Sequence, residues 1–265
     1  MAPEYALKLS DAELARYRLM AEGAAQVERD WWAAAGAMEG AVVADVGCGP
    51  GAVSLVLARV VGPGGRVIAV DGDPAAVAAA RDAVARAGVG NVTVQVGEAH
   101  ATGLPPGSAD VVMIRHVLSH NGGREEVIVG HAASLVRPGG SLYLADVEAT
   151  AIRTRPTDPD LEDLAGRYEE WHRRRGNDLS VGLRLGELLR AAGLQGVEHH
   201  GLYQIVTVPP GVRGPTWAAR ATLVEAGLAT PDDVERWDEA FARVDRADPR
   251  PTTFLPLFVA YGQAR

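Results

Sequence analysis

Val43-Ala44-Asp45-Val46-Gly47-Cys48-Gly49-Pro50-Gly51 decides how the rest of this chain is read. An apolar run, residues 41–44, leads into it, and a helix-patterned stretch, 53–61, leads out. Strand, glycine turn and helix together bring a ligand against bare backbone. Without a Cβ, glycine lets the chain turn tightly and leaves its amides approachable. The N-terminus of the following helix adds unpaired N–H groups and a partial positive charge, suited to a carboxylate or phosphate. A nucleotide-like ligand is expected here.

Taken alone, the loop leaves two readings open. Gly47, Gly49 and Ala52 also satisfy the G-x-G-x-x-G/A dinucleotide fingerprint. Residues 67–70 read as a second buried strand ending at Asp71, a carboxylate set to accept both hydroxyls of a ribose. Dinucleotide binders share that acid, ~20 residues beyond the glycines. A third strand, 92–96, ends in Gly97-Glu98-Ala99, where an acidic side chain and its neighbour can hydrogen-bond the edge of an adenine. A fourth, 110–114, follows Leu104-Pro105-Pro106-Gly107-Ser108. A fifth, 141–147, follows Leu135-Val136-Arg137-Pro138-Gly139-Gly140.

In this order and spacing, the glycine loop, Val70-Asp71, Gly97-Glu98-Ala99, Ala109-Asp110-Val111-Val112 and the Leu135 to Gly140 turn resemble the class I S-adenosylmethionine-dependent methyltransferases, over roughly residues 40 to 150. The resemblance implies S-adenosyl-L-methionine as cofactor. Gly47, Gly49 and Gly51 would cradle its methionine part, Asp71 its ribose, and Glu98 with Ala99 its adenine. Asp45, Cys48 and Gly72 complete the implied cofactor-binding set. Arg115 has two readings, a partner for the cofactor carboxylate or for an acidic neighbour.

Composition fits a compact cytoplasmic enzyme. The chain has 265 residues, 47% of them hydrophobic, enough for a sizeable core. A net charge of −8 without a basic tract argues against a large nucleic-acid partner. There is no signal-like N-terminal pattern and no apolar run near the ~20 residues of a membrane span. The single cysteine, Cys48, excludes an internal disulfide and is read as packing between glycines.

Residues 10–32 have helical spacing, with Ser10 as N-cap and Glu13 at N3 making a capping box. Asp73-Pro74 reads as a cap before an Ala-rich helix at 75–87, and 122–136 as another helix. Strands alternating with helices give an α/β fold, a doubly wound, mostly parallel sheet with the ligand at the carboxyl ends of its strands. The family's sheet has seven strands. Beyond Val147 the pattern predicts helices at 161–175 and 181–192, a sixth strand at 199–208, helices at 217–226 and 231–247, and a last strand at 253–261. The expected division is an N-terminal helical segment, 1–40, a cofactor-binding core, 41–149, and remaining strands with a helical cap, 150–265. The insertion at 209–251 covers the acceptor pocket, or else is a solvated or dimerisation element that leaves a homodimer open.

Methyl transfer from a sulfonium needs in-line alignment, and a general base where the acceptor must lose a proton. His116 and His120 are the candidate catalytic residues, four apart and so on one face if the segment is helical. No nearby carboxylate completes a metal triad, so no metal is expected. Asp146, Glu148, Tyr5, Tyr168, Trp171 and His172 are weaker candidates, each with a structural reading beside the functional one. Arg173-Arg174-Arg175 reads as a solvated helix end, and His199 and His200 as pointing to opposite faces of a strand. The expected function is methylation of a small-molecule acceptor, preferentially at oxygen. The rivals are a cofactor-binding cyclase or isomerase on the same fold, and a protein or RNA methyltransferase.

Overall fold

Residues 10–265 are described by the computed structural model, which leaves Tyr5 outside the described residues. The helical spacing at 10–32 becomes two helices, α1 (Asp11–Val27) and α2 (Arg29–Ala34). The break falls at Glu28, a fully buried residue whose N–H still caps the Ala24 carbonyl. Ser10 accepts from the Glu13 N–H at 3.3 Å, as a capping box requires, but the Glu13 carboxylate engages Arg16 at 2.6 Å.

The alternating part comprises β1 (Val42–Val46), α3 (Ala52–Val61), β2 (Arg66–Asp71), α4 (Pro74–Ala87), β3 (Val92–Val96), β4 (Ala109–Arg115), α5 (Glu125–Leu135) and β5 (Val136–Val147). Asp73 caps α4, accepting from Ala75 N–H at 2.9 Å with Pro74 at the helix start. The remainder comprises β6 (Arg153–Arg155), α6 (Pro159–Arg174), α7 (Leu185–Ala191), β7 (Gln195–Val206), α8 (Pro215–Ala218), α9 (Arg220–Glu225), α10 (Pro231–Arg246) and β8 (Thr252–Gln263).

The sheet runs β3-β2-β1-β4-β5-β8, with β7 paired to β8. Pairs among β1 to β5 are parallel, and β8 is antiparallel to its neighbours. Among the described residues it has eight strands where seven are expected. The addition is β6, whose register with β8, Arg153↔Phe254 to Arg155↔Thr252, continues the β5–β8 ladder that ends at Val147↔Leu257. Because Thr253 also pairs with Val206 of β7, β6 must lie on the β5 side of β8. The eighth strand is therefore the path of β5 resumed after a helical turn at 149–151. The strand expected sixth is β7.

Strand residues alternate between two cores, as a period of two requires. Val43, Val111, Met113 and Tyr143 pack under α1, α2 and α3, whereas Ala44, Val46, Val112 and Ile114 pack under α5 and α7. A third cluster, Leu164, Tyr168, Trp171, Leu223 and Trp237, joins α6 to α9 and α10. Its rim is ionic. Arg236 reaches Asp160, Asp163 and Asp233 at 2.6–2.9 Å, and Arg243 reaches Asp158 and Asp160. The 209–251 stretch thus carries three helices, the last started by a capping box at Thr230. The loop between β1 and α3 falls where strand order reverses, the place where open α/β sheets bind ligands.

Candidate functional site

The glycine loop is pinned to the next strand: the N–H groups of Gly47 and Cys48 both donate to the Val70 carbonyl, at 2.7 and 3.0 Å. Gly47 has a φ of +77°, and a Cβ there would stand 2.2 Å from Val117 Cγ2. Only glycine lets Val117 pack against the loop. Gly51, also left-handed, starts α3 against the backbone of Ala80. Cys48 is buried, and burial beside Asp45 and Asp71 pushes its thiol up, which leaves it inert as a nucleophile.

Two carboxylates border this loop. Asp45 is buried and accepts from Ser54 Oγ at 2.5 Å; burial outweighs that bond and pushes its pKa up to about 6. Asp71, at the end of β2, accepts from Gly49 N–H at 2.8 Å and Asp73 N–H at 2.9 Å, one on each oxygen. Burial still holds its pKa above the usual range. Each Asp71 oxygen keeps a lone pair for a further donor. Gly72 follows, close enough that a Cβ there would meet the Glu98 carboxylate at 3.1 Å. Glu98 is exposed, beside half-buried Ala99, in the turn after β3.

Arg115 has an acidic neighbour, Glu28. Its guanidinium forms a two-pronged pair with Glu28, with Nε 3.0 Å from Oε2. Tyr143 Oη and Trp32 Nε1 also donate to Glu28, at 2.9 and 3.2 Å. Burial opposes the Glu28 charge, but Arg115 and the Tyr143 hydroxyl hold its pKa below the usual range. This network ties the α1–α2 junction to β4 and β5.

His116 and His120 come together, but not on a helix. His116 has a left-handed φ of 55°, and only Leu118–His120 forms a 3₁₀ turn. Such a conformation is strained for a side chain with a Cβ and persists where its surroundings enforce it. Fully buried Asp146 supplies that enforcement. Its Oδ1 lies 3.7 Å from His116 Nδ1, and Oδ2 accepts the Ser119 N–H at 3.2 Å. Burial would raise Asp146, but His116 and His120 together hold it below its usual range. Burial lowers His120, aided by His116 and Arg16 against the pull of Asp146.

Opposite this turn stands α6. His172, fully buried, has its ring 5.1 Å from that of His120 and lies edge-on to Tyr168 and Trp171. Burial pushes its pKa down to about 3, with His120 and Arg175 adding to the effect. The sign follows directly. Folded His172 stays neutral while the unfolded side chain binds a proton below about pH 6.5, so its contribution to stability is lost as pH falls from there toward about 3. The stability difference between wild type and His172→Phe should therefore shrink by up to ~1.4 kcal/mol per pH unit across that window. Urea titrations at pH 7, 5.5 and 4.5 measure it; a pH-independent difference would disprove it.

Of the remaining candidates, Glu148 is buried and caps the 149–151 turn through Thr150. Arg173 and Arg174 pair with Glu170, and Arg175 covers the Trp171 ring. His199 and His200 do face opposite ways, to the Gly182 carbonyl and to Glu198. Sequence reading missed Glu28, Val117, Asn177 and the placement of Tyr17, whose ring would lie 3.7 Å from a Cβ on Gly49. Those contacts join residues tens of positions apart, so no local spacing signals them. Among the described residues, no cluster of three His, Cys, Asp or Glu is placed to hold a metal ion, and no helix is long and apolar enough to cross a membrane.

Residues 43–140 match the methyltransferase domain family. The chain is 46% identical over 69 residues to nocamycin O-methyltransferase of Saccharothrix syringae, covering 26% of this chain and 24% of that protein. It is 32% identical over 127 residues to arsenite methyltransferase of Halobacterium salinarum, covering 48% and 32%. The chain thus spans a third or less of the length of these relatives. The YcgJ protein of Bacillus subtilis shares the fold with a TM-score of 0.55 at 19% identity, over 94% of this chain and 97% of that one. Loop, switch point and strand order agree with these likenesses: over residues 43–140 the chain carries a methyltransferase domain, in the class I fold of the S-adenosylmethionine-dependent methyltransferases.

Proposed function

We propose that this chain transfers a methyl group from S-adenosylmethionine to an oxygen of a small-molecule acceptor. The observation that carries the reading is the pairing of a glycine loop and Asp71 on one side with the His116–Asp146–His120 group on the other. The donor set fits the cofactor. Asp71 retains a lone pair on each oxygen for the ribose hydroxyls, and Asp45 and Asp71 form an acidic border suited to a ligand with ammonium and sulfonium charges. Gly47, Gly49 and Gly51 would hold its methionine part, and Gly72, Glu98 and Ala99 would lie at its adenosine end. When bound, S-adenosylmethionine supplies a methyl carbon open to in-line attack.

The protein's own part is positional. Asp146 fixes the 3₁₀ turn through the Ser119 N–H and orients His116, so both histidines are presented together. Burial keeps His120 neutral near pH 7, ready to take the acceptor's proton. The helical layer of α6, α8, α9 and α10 would exclude water and shape the acceptor pocket. Oxygen is favoured because a hydroxyl needs this base; the name of the Saccharothrix relative, an O-methyltransferase, agrees.

A radiolabelled methyl-transfer screen over hydroxylated, amine and macromolecular acceptors, followed by product mass, tests the function. The expected product is a small molecule heavier by one methylene. An unchanged product mass would instead favour the isomerase reading. Calorimetry should show S-adenosylhomocysteine binding, weakened about 10–100-fold by Asp71→Ala. His120→Ala should lower kcat by ~10²–10⁴-fold while leaving cofactor affinity intact; unchanged turnover would remove His120 as the base.

A further inference from the structure

His172 has an unexplained hydrogen. Its Nδ1 lies 2.8 Å from Asn177 Nδ2, and the orientation of that amide is fixed from its other end, because the Gly122 N–H donates to Asn177 Oδ1 at 3.1 Å. A backbone N–H can only donate, so the oxygen must face Gly122 and the NH₂ must face the imidazole. Nδ1 is then an acceptor, and the neutral ring carries its proton on Nε2. That Nε2 is buried and has no hydrogen-bond partner. The large majority of buried donors are paired, and leaving one unmade costs about 1–3 kcal/mol.

The surroundings define a ligand for it. The ring stands 5.1 Å from His120, across the junction between the domain core and α6. Tyr168 and Trp171 pack against the imidazole in edge contacts, with ring centroids 4.4 and 4.7 Å away. The group is neutral, so it offers a hydrogen bond without charge. Ionised Asp146, which acts electrostatically on His120, disfavours a second anion in the same space.

We propose that His172 Nε2–H is the acceptor-recognition donor of this site, and that the acceptor carries a neutral carbonyl oxygen next to the hydroxyl that is methylated. The inference rests on the methyl-transfer reading for its second half only. His120 would take the proton of the reacting hydroxyl while His172 holds the adjacent oxygen, which selects one of several hydroxyls on a larger molecule. Asn177 acts as a positioning residue, since losing its amide frees the ring to change tautomer.

The test uses full-length protein labelled with ¹⁵N at histidine and saturated with S-adenosylhomocysteine. Three probes are added: 2-hydroxyacetophenone, 2-ethylphenol of similar shape without the carbonyl, and salicylate. Imidazole ¹⁵N spectra should show the Nε2–H tautomer for His172. Its Nε2–H signal should move with 2-hydroxyacetophenone, which should bind about tenfold more tightly than 2-ethylphenol. His172→Phe should erase that preference with S-adenosylhomocysteine affinity unchanged, and His172→Gln, which keeps an N–H donor, should restore part of it. An Nδ1–H tautomer, a signal that none of the probes moves, a response to salicylate alone, or a preference that survives His172→Phe would each overturn the proposal. Because wild type alone supplies the first readouts, a variant that fails to fold does not shield it. Failure of S-adenosylhomocysteine to bind wild type would sink the methyl-transfer reading, whereas the tautomer and probe response report on His172 itself.

Discussion

Arg115→Met is expected to lower the unfolding free energy by about 3–5 kcal/mol, because it strands the fully buried Glu28 carboxylate without a counter-charge. At ~2–4 °C per kcal/mol for a chain of this size, the thermal midpoint should fall by about 10 °C. The loss is mostly a penalty on the partner left behind. Arg115→Met combined with Glu28→Gln should therefore recover most of it, since the amide oxygen still accepts from Trp32 and Tyr143 and no charge remains. Denaturant melts of the two single variants and the double variant decide the matter. Equal destabilisation in single and double variants would show that packing, not charge, governs the site.

Gly47→Ala should disable the site by a different route. The new Cβ would meet Val117 Cγ2 at 2.2 Å while the backbone keeps a φ of +77°. Left-handed backbone costs an L-residue about 1–2 kcal/mol, and overpacking another ~1–3. Relief requires Val117 to move, and the Val117 carbonyl accepts the His120 N–H at 3.1 Å. Displacement of the loop therefore reaches the candidate base. S-adenosylhomocysteine affinity should drop at least about tenfold, with a larger loss in turnover. Adding Val117→Ala removes the clash but not the backbone strain, so it should restore only part of both. Wild-type affinity in Gly47→Ala would show that the loop tolerates the methyl.

Why was the core readable from sequence and the acceptor side less so? Asp71 ends a strand and Gly47 starts a turn, so local pattern alone places both at the carboxyl edge of the sheet. The same holds for Asp73, whose cap on α4 follows from Asp-Pro before an alanine-rich run. His116 illustrates the opposite case. Spacing of four suggests a helical face, yet the pair is assembled by Asp146 from another strand and by backbone strain at His116 itself. Glu28 is further from view, since nothing near it in sequence announces Arg115, 87 positions away. The break between α1 and α2 follows from that distant pairing, and a periodicity count over 10–32 runs straight through it. The extra strand escaped for a related reason: three residues of β6 are too short to make a pattern and pair only because β8 extends past β5.

The helices joined in the third core come from two separate excursions. One, α6, leaves after β6; the other, α8 to α10, leaves after β7 and returns into β8. Both are anchored on the antiparallel end of the sheet, while the stretch shared with the methyltransferase domain family stops at residue 140, before either begins. Because Val206 and Thr253, on either side of 209–251, pair with each other, that excursion starts and ends at one closed point of the sheet and can be exchanged as a unit without opening the β7–β8 ladder.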